Sequence, residues 1–329
     1  MKALVTGATG FVGSTLCEEL NKRGVEVRAM LRKTSSRENL VNATFSEVEG
    51  DLRSPEKLRK AVEGVDVIFH VAGVVAALDR EEFFNSNERG TVNLLDAVDA
   101  YNPGLKRFVY VSSLAAAGPS TPERPNVESD ACHPVSDYGA SKLAGEIAVL
   151  ARKDRLPVTI VRPPAVYGPR DKGVLTFFQF IAKGLLPVLG TVKPDPHRYS
   201  FVHVEDLVQG IAGAGLSEKT AGEVYYLTGD GVHSWEEAMG LMAAGMNKKT
   251  FTVRLPIPLL RVAARVCSFI SKLTKKALPF SNDKIKEIEA PAWTCSSDKA
   301  KRDFGYAPYW GLKEGSAQTA AWYKENGWL

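Results

Sequence analysis

Tyr138 and Lys142 stand four residues apart at the start of a helical pattern that runs through Arg152. That spacing puts both side chains on one face of a helix, with Cβ atoms about 5–6 Å apart. A free phenol has a pKa of about 10, too high for an efficient base near neutrality. A neighbouring ammonium stabilises the phenolate and lowers that value. The lysine has a second use, holding a nicotinamide ribose. Ser112-Ser113 closes the apolar run Arg107–Val111 and precedes the tyrosine by the length of a loop. A hydroxyl there can bond the same substrate oxygen as the phenol. Together these groups imply proton transfer coupled to hydride transfer.

A cofactor loop lies at the other end of the first half. Lys2–Thr6 leads into Gly7-Ala8-Thr9-Gly10-Phe11-Val12-Gly13, and a helical run to Arg23 follows. Glycines three apart let the backbone turn tightly and approach a pyrophosphate, and the helix N-terminus offers unpaired N–H groups to it. Gly7, Thr9, Gly10, Phe11, Val12 and Gly13 are therefore candidate cofactor contacts. The strand after this helix ends at Leu31-Arg32-Lys33-Thr34-Ser35-Ser36, with no acid before Glu38. An acid about 20 residues beyond the loop commonly holds the ribose 2′-hydroxyl of NAD. Arg32 with nearby hydroxyls suits a 2′-phosphate instead. NADP(H) is favoured, with NAD(H) as the alternative.

The elements that must position these residues alternate. Strand-like runs at Ala3–Thr6, Val25–Leu31, Val65–Val71, Phe108–Val111 and Val158–Val161 are separated by helical patterns at Phe11–Arg23, Pro55–Val62 and Phe83–Ala100. That rhythm predicts an α/β fold: a Rossmann-type, doubly wound parallel sheet covered on both faces. From about Gly168 prolines and glycines become denser. The expected division is a nucleotide-binding domain over 1–168 and a smaller, mixed substrate lobe over 169–329, with the chain free to cross between them. A net charge of 42 − 38 = +4 is too small and dispersed to argue for nucleic acid. Cys17, Cys132, Cys267 and Cys295 are far apart, and the five histidines are scattered, so no metal site is expected. Gly7, Gly10 and Gly13 interrupt the apolar start before a signal peptide could form, and no run is long enough to span a membrane. A cytoplasmic protein is the expectation.

So many motifs in one order resemble the extended short-chain dehydrogenase/reductases, a group containing nucleotide-sugar epimerases, dehydratases, dihydroflavonol reductase-like enzymes and 3β-hydroxysteroid dehydrogenases. The resemblance rests on Thr6–Gly13, Gly50-Asp51-Leu52, Phe69–Gly73, Asn87-x-x-Gly90-Thr91-x-Asn93, Val111–Ser113, Tyr138–Lys142, Arg162–Pro169 and Phe201–Leu207. It implies Ser113, Tyr138 and Lys142 as the catalytic set, with Gly118 favouring Ser113 over Ser112. By the same resemblance Asp51 and Leu52 would border the adenine, Val71, Ala72 and Gly73 would line the cofactor cleft, and Pro163 and Val166 would lie near the nicotinamide. Asn87 is open to a functional or a structural role, and His70 and His203 are expected to be satisfied structural histidines.

Three departures bear on the substrate. Leu114-Ala115-Ala116 replaces the Asp-Glu pair that a sugar dehydratase would need. Ala165 stands where epimerases commonly carry asparagine, and Arg198 is about one residue off the register of their diphosphate-binding arginine. Val74–Leu78, Phe177–Phe180 and Leu185–Leu189 are apolar and are read either as ordinary core or as walls for a small-molecule substrate. The preferred reading is an NADP(H)-linked reductase or dehydrogenase acting on an apolar ketone or alcohol. A nucleotide-sugar epimerase with bound NAD comes second, and an NADP-sensing binding module third. The basic amphipathic segment Leu255–Pro279 is expected to pack as a lid rather than to lie on a membrane. The two long helices Phe83–Ala100 and Tyr138–Arg152 could pair two copies as a homodimer.

Overall fold

Short runs of β-branched and aromatic residues form strands here because both of their faces are covered. The computed structural model describes residues 1–190, 195–278 and 280–329. Its first six strands are β1 (Lys2–Thr6), β2 (Glu26–Leu31), β3 (Phe45–Glu49), β4 (Val67–His70), β5 (Arg107–Val111) and β6 (Val158–Arg162). Seven more follow: β7 (Ala165–Tyr167), β8 (Leu185–Leu189), β9 (Arg198–Tyr199), β10 (Phe201–His203), β11 (Glu223–Tyr226), β12 (Phe251–Leu255) and β13 (Ala292–Trp293). The main sheet has the order β11-β6-β5-β4-β1-β2-β3, and every neighbouring pair is parallel.

Helices α1 (Phe11–Lys22), α2 (Arg59–Val62), α3 (Arg80–Phe84), α4 (Gly90–Tyr101), α5 (Leu114–Ala117) and α6 (Asp137–Leu150) alternate with the early strands. The second half adds α7 (Leu175–Ala182), α8 (Val204–Leu216), α9 (Trp235–Gly245), α10 (Ile257–Thr274), α11 (Asn282–Ile288), α12 (Asp298–Phe304) and α13 (Leu312–Glu325). Alternate strand residues feed two cores. Phe69 and Val109 pack with Leu16 and Leu20 of α1 and Leu207 and Ile211 of α8. Ile68 and Phe108 pack on the other face with Leu94 and Val98 of α4 and Val149 of α6. A third core joins Phe178 and Ile181 of α7 to Val188, Met239, Met242 and Tyr323 in the smaller lobe.

Two sequence expectations change in the structure. Pro55–Val62 is not one helix but a 3₁₀ turn over Pro55–Lys57 followed by α2. Phe83–Ala100 contains a π-helical turn, Asn85–Arg89, between α3 and α4. Phe83, just before this turn, and Asn87, within it, both contact α6. Beyond residue 168 the chain contributes to both the main sheet and the smaller lobe. α8, β11 and α12 return to the main sheet, while α7, β8, α9, β12 and α13 build the smaller lobe.

A buried ion pair fixes α6, the helix carrying Tyr138 and Lys142, to the sheet. Arg162 at the end of β6 donates to both carboxylate oxygens of Glu146, at 2.9 and 2.6 Å, and both side chains are buried. Removing one partner of such a pair strands the other charge and typically costs about 3–5 kcal/mol. Glu146→Ala should therefore lower stability by about that amount in urea denaturation. A loss below about 1 kcal/mol would show that α6 does not depend on the pair.

Candidate active site

The site is built where the strands of a parallel sheet end. Gly7 has φ +71°, and a Cβ there would lie 2.7 Å from the Ala72 nitrogen; one on Gly13 would lie 2.1 Å from the Gly7 carbonyl oxygen. Only glycine allows that closeness of backbone to backbone. The N-cap of α1 is Gly10, with no capping side chain, so the first-turn N–H groups of Phe11, Val12 and Gly13 are left for an external acceptor. This cradle opens into a cleft of about 910 Å³. The cleft has the backbone closeness and free donors that a dinucleotide pyrophosphate requires.

Every site residue named from sequence lines this cleft: the loop residues Gly7, Thr9, Gly10, Phe11, Val12 and Gly13, then Arg32, Asp51, Leu52, Val71, Ala72, Gly73, Ser113, Tyr138, Lys142, Pro163 and Val166. Sequence reasoning did not single out Asn39, which also lines it and donates to the Thr9 carbonyl at 3.0 Å. The cations divide by partner. Arg170 is paired with Glu18, Lys284 with Glu287, Lys172 sits 5.5 Å from the Trp328 ring centroid, and Arg53 has no ion pair among the described residues but donates to Ser86 Oγ at 3.0 Å. Arg32 is exposed and has no ion pair among the described residues.

Lys142 is buried and donates to the Val111 carbonyl at 2.8 Å, with its ammonium 4.3 Å from the Tyr110 ring centroid. Burial pushes its pKa down to about 7, against a smaller upward pull from Glu146. Tyr138 is half-buried, its ring 6.0 Å from that of Phe83. Burial pushes its phenol up to about 12, Ser113 pulls it down through a hydrogen bond, and Glu287 pushes it up. The expected lowering of Tyr138 by Lys142 is not seen: burial dominates the phenol's shift, and the Lys142 ammonium is engaged with Val111 and Tyr110. Ser113 also caps α5, accepting the Ala115 N–H at 3.1 Å. The Ser112 hydroxyl beside it is buried with no partner among the described residues.

Contacts from distant parts of the chain hold Tyr138 in place. Asp283 of α11 accepts the Asp137 N–H at 2.8 Å and the Tyr138 N–H at 3.2 Å. Ser136 accepts the Gly139 N–H and donates to Glu287 at 2.7 Å. Asn87, buried in the π turn, accepts the Val74 N–H and donates to the Val74 carbonyl and to Ser141 Oγ. It clamps the Val74 loop to α6.

The histidines differ. His70 bonds Thr6 and Thr91 on its two nitrogens, and burial lowers its pKa to about 3. His203 accepts the Glu205 N–H on Nδ1 at 3.4 Å, but its Nε2 is buried without a partner among the described residues. It is only partly satisfied, because the Tyr167 and Trp310 rings pack around it. Two of the three apolar segments do not line the cleft. Phe178 and Leu186 are in the third core, with α7 turned towards α9 and α13 rather than towards Tyr138. Val74, Val75 and Ala76 do line it, with Phe83. Arg198 is absent from the lining and spends one nitrogen on the carbonyls of Asp195 and His197.

The family model described as the NAD dependent epimerase/dehydratase family matches residues 3–227. A ceramide reductase from Caulobacter vibrioides is 34% identical over 99% of this chain and 95% of its own. A UDP-glucose 4-epimerase from Vibrio cholerae is 27% identical over 96% and 94%. Among solved structures, MoeE5 in complex with UDP-glucuronic acid and NAD has a TM-score of 0.78 at 23% identity, covering 99% of this chain and 100% of that one. That likeness speaks to the fold.

Lys142 gives the site a pH signature. Its pKa is about 7 when folded, against about 10.4 in an unfolded chain. A lysine lowered by folding costs stability in full below the folded value, and the cost fades as pH rises towards the unfolded value. Lys142→Met should raise the melting temperature of the cofactor-free protein, by more at about pH 6 than at about pH 9. Equal gains at both would mean that no charge burial is relieved.

Proposed function

The chain belongs to the NAD dependent epimerase/dehydratase family, and on that premise we propose that it uses NADPH to reduce a hydrophobic ketone to a secondary alcohol. The family and its reductase relatives make it an oxidoreductase of the extended short-chain type. The observation that carries the finer reading is the division of cations in the cleft. Arg170, Lys172 and Lys284 already have partners within the chain and Arg53 donates to Ser86 Oγ at 3.0 Å, whereas the side chain of Arg32, beyond the glycine loop, has no partner among the described residues. An adenosine 2′-phosphate has a cation waiting for it. A sugar diphosphate would have to displace existing pairs, and burying its charges without matching donors costs several kcal/mol. The apolar Val74–Ala76 wall and Phe83 favour a hydrophobic substrate, at roughly 25 cal/mol per Å² buried. The ceramide reductase relative points the same way by its name.

In this reading Gly7–Gly13 and the first turn of α1 hold the pyrophosphate, Arg32 the 2′-phosphate, and Lys142 the nicotinamide ribose. A bound NADPH supplies the hydride that reaches the carbonyl carbon. Tyr138, whose pKa near 12 keeps it protonated at neutral pH, gives its proton to the carbonyl oxygen as charge develops there. Ser113 donates to the same oxygen and orients it. The ketone thereby gains one hydride and one proton, and the tyrosinate recovers its proton from solvent. A phenol held in its acid form suits reduction better than oxidation.

Two measurements test this. Tyr138→Phe should reduce NADPH consumption with lipid-like or aromatic ketones by about 10²–10⁴-fold while leaving NADPH binding largely intact; retention of most activity would move the acid elsewhere. Arg32→Asp should erase the preference of NADPH over NADH, a change of about tenfold or more for one charge-assisted contact. A parent enzyme that binds both cofactors equally would end the NADP reading. Strong thermal stabilisation by UDP-sugars, with epimerisation and no net NADPH use, would transfer the site to the epimerases.

A further inference from the structure

Helix α10 is amphipathic, yet its apolar side faces away from the protein. At about 100° per residue, Leu259, Val262, Val266, Phe269, Ile270 and Leu273 fall within one sector of about 100°. All six are exposed, from 42% for Ile270 to 68% for Leu273. The opposite side, with Ala264 and Ser271 buried, seats the helix on the protein. Arg261, Arg265 and Lys272 fall between these two sides, and Lys275 and Lys276 follow the last turn. Arg261 pairs with Glu289, but Arg265, Lys272, Lys275 and Lys276 form no ion pair among the described residues. The segment was expected to pack as a lid; its final residue, Pro279, lies outside the described residues.

The position of this helix matters as much as its pattern. It packs on α11, and Ser268 accepts the Asn282 N–H at 3.0 Å. Ser281, Asp283, Lys284 and Glu287 of the next segment line the catalytic cleft. The exposed stripe is therefore one helix away from the mouth.

We propose that α10 docks this protein on an anionic lipid bilayer, the apolar stripe entering the acyl boundary and the unpaired cations meeting the headgroups. Exposed leucine, valine and phenylalanine are held in one contiguous patch, beyond what scattered surface residues require. The flanking cations carry the complementary charge, each worth about a fivefold gain in partitioning near an anionic surface. No helix among the described residues is long and apolar enough to cross a membrane, so α10 lies in the plane of the interface. Resting on the reductase reading above, the docking brings the cleft to the phase where a hydrophobic ketone is concentrated.

The test is flotation of the full-length protein with phosphatidylcholine vesicles, with and without phosphatidylglycerol. The protein should float with the anionic vesicles and less so at high salt. Val266→Asp with Phe269→Asp, and separately Arg265→Glu with Lys272→Glu, should each cut flotation by about tenfold or more. NADPH consumption with a small water-soluble ketone and the melting temperature should stay unchanged in both variants. Parent protein that does not float, or double variants that float as well as the parent, would overturn the docking. So would a parent dimer that the Phe269→Asp change splits in the absence of any flotation, since the stripe would then belong to a second copy. Flotation with no reduction of any hydrophobic ketone would sink the substrate reading and leave the docking standing.

Discussion

The first turn of α6 has three backbone N–H groups that no earlier turn can accept, and the position of Tyr138 depends on how they are answered. Ser136 takes the Gly139 N–H, and the two oxygens of Asp283 take those of Asp137 and Tyr138. The accounting is complete, and a carboxylate at a helix N-terminus also meets the positive end of the helix dipole. Tyr138 is thereby held from two directions: along its own helix by the Glu146–Arg162 pair, and at its backbone by a residue 145 positions further on. The wall around Tyr138 is held in place because the backbone N–H groups of this first turn, which would be costly unpaired, find partners there.

The local parts of this arrangement were legible in the sequence and the distant parts were not. The four-residue spacing of Tyr138 and Lys142 and the three-residue spacing of Gly7, Gly10 and Gly13 are properties of a single helix and a single turn, so reading them needs no knowledge of packing. The parallel sheet was legible for a similar reason, as β1, β4, β5 and β6 are short runs buried on both faces, whereas the largely exposed edge strand β3 carries no such signal. Asp283 and Glu287 carry no signal of their own: an acid at a helix start is ordinary until the helix it caps is known. Asn87 was visible as a motif residue, but its role depends on a π turn that shifts its phase. Apolar segments left the choice between core and binding wall open. Phe178 and Leu186 look like a binding wall in sequence, yet periodicity says only that a face is buried, never against what.

The opposite error is visible in the ionisation of the pair. From sequence, the ammonium of Lys142 should favour the phenolate of Tyr138. In the structure both groups are pushed towards their neutral forms, Lys142 to about 7 and Tyr138 to about 12. Proximity predicts the sign of a Coulomb interaction, but desolvation depends on everything else packed nearby. Here the second effect is larger.

The late return of β11 to the main sheet governs how the protein can be made. β11 pairs with β6 from Glu223–Thr159 to Tyr226–Arg162, at the end of the sheet. While the ribosome has delivered only the first six strands, β6 is an open parallel edge with a row of unpaired N–H and C=O groups. Residues 163–222 separate the end of β6 from the start of its neighbour, and at about 5–20 residues per second that interval lasts several seconds. During it the nascent chain has an adhesive flank, and its own later segment is the natural cover. Yield in the cell is therefore tied to elongation through this stretch, a demand placed on the coding sequence and on chaperones rather than on the finished enzyme.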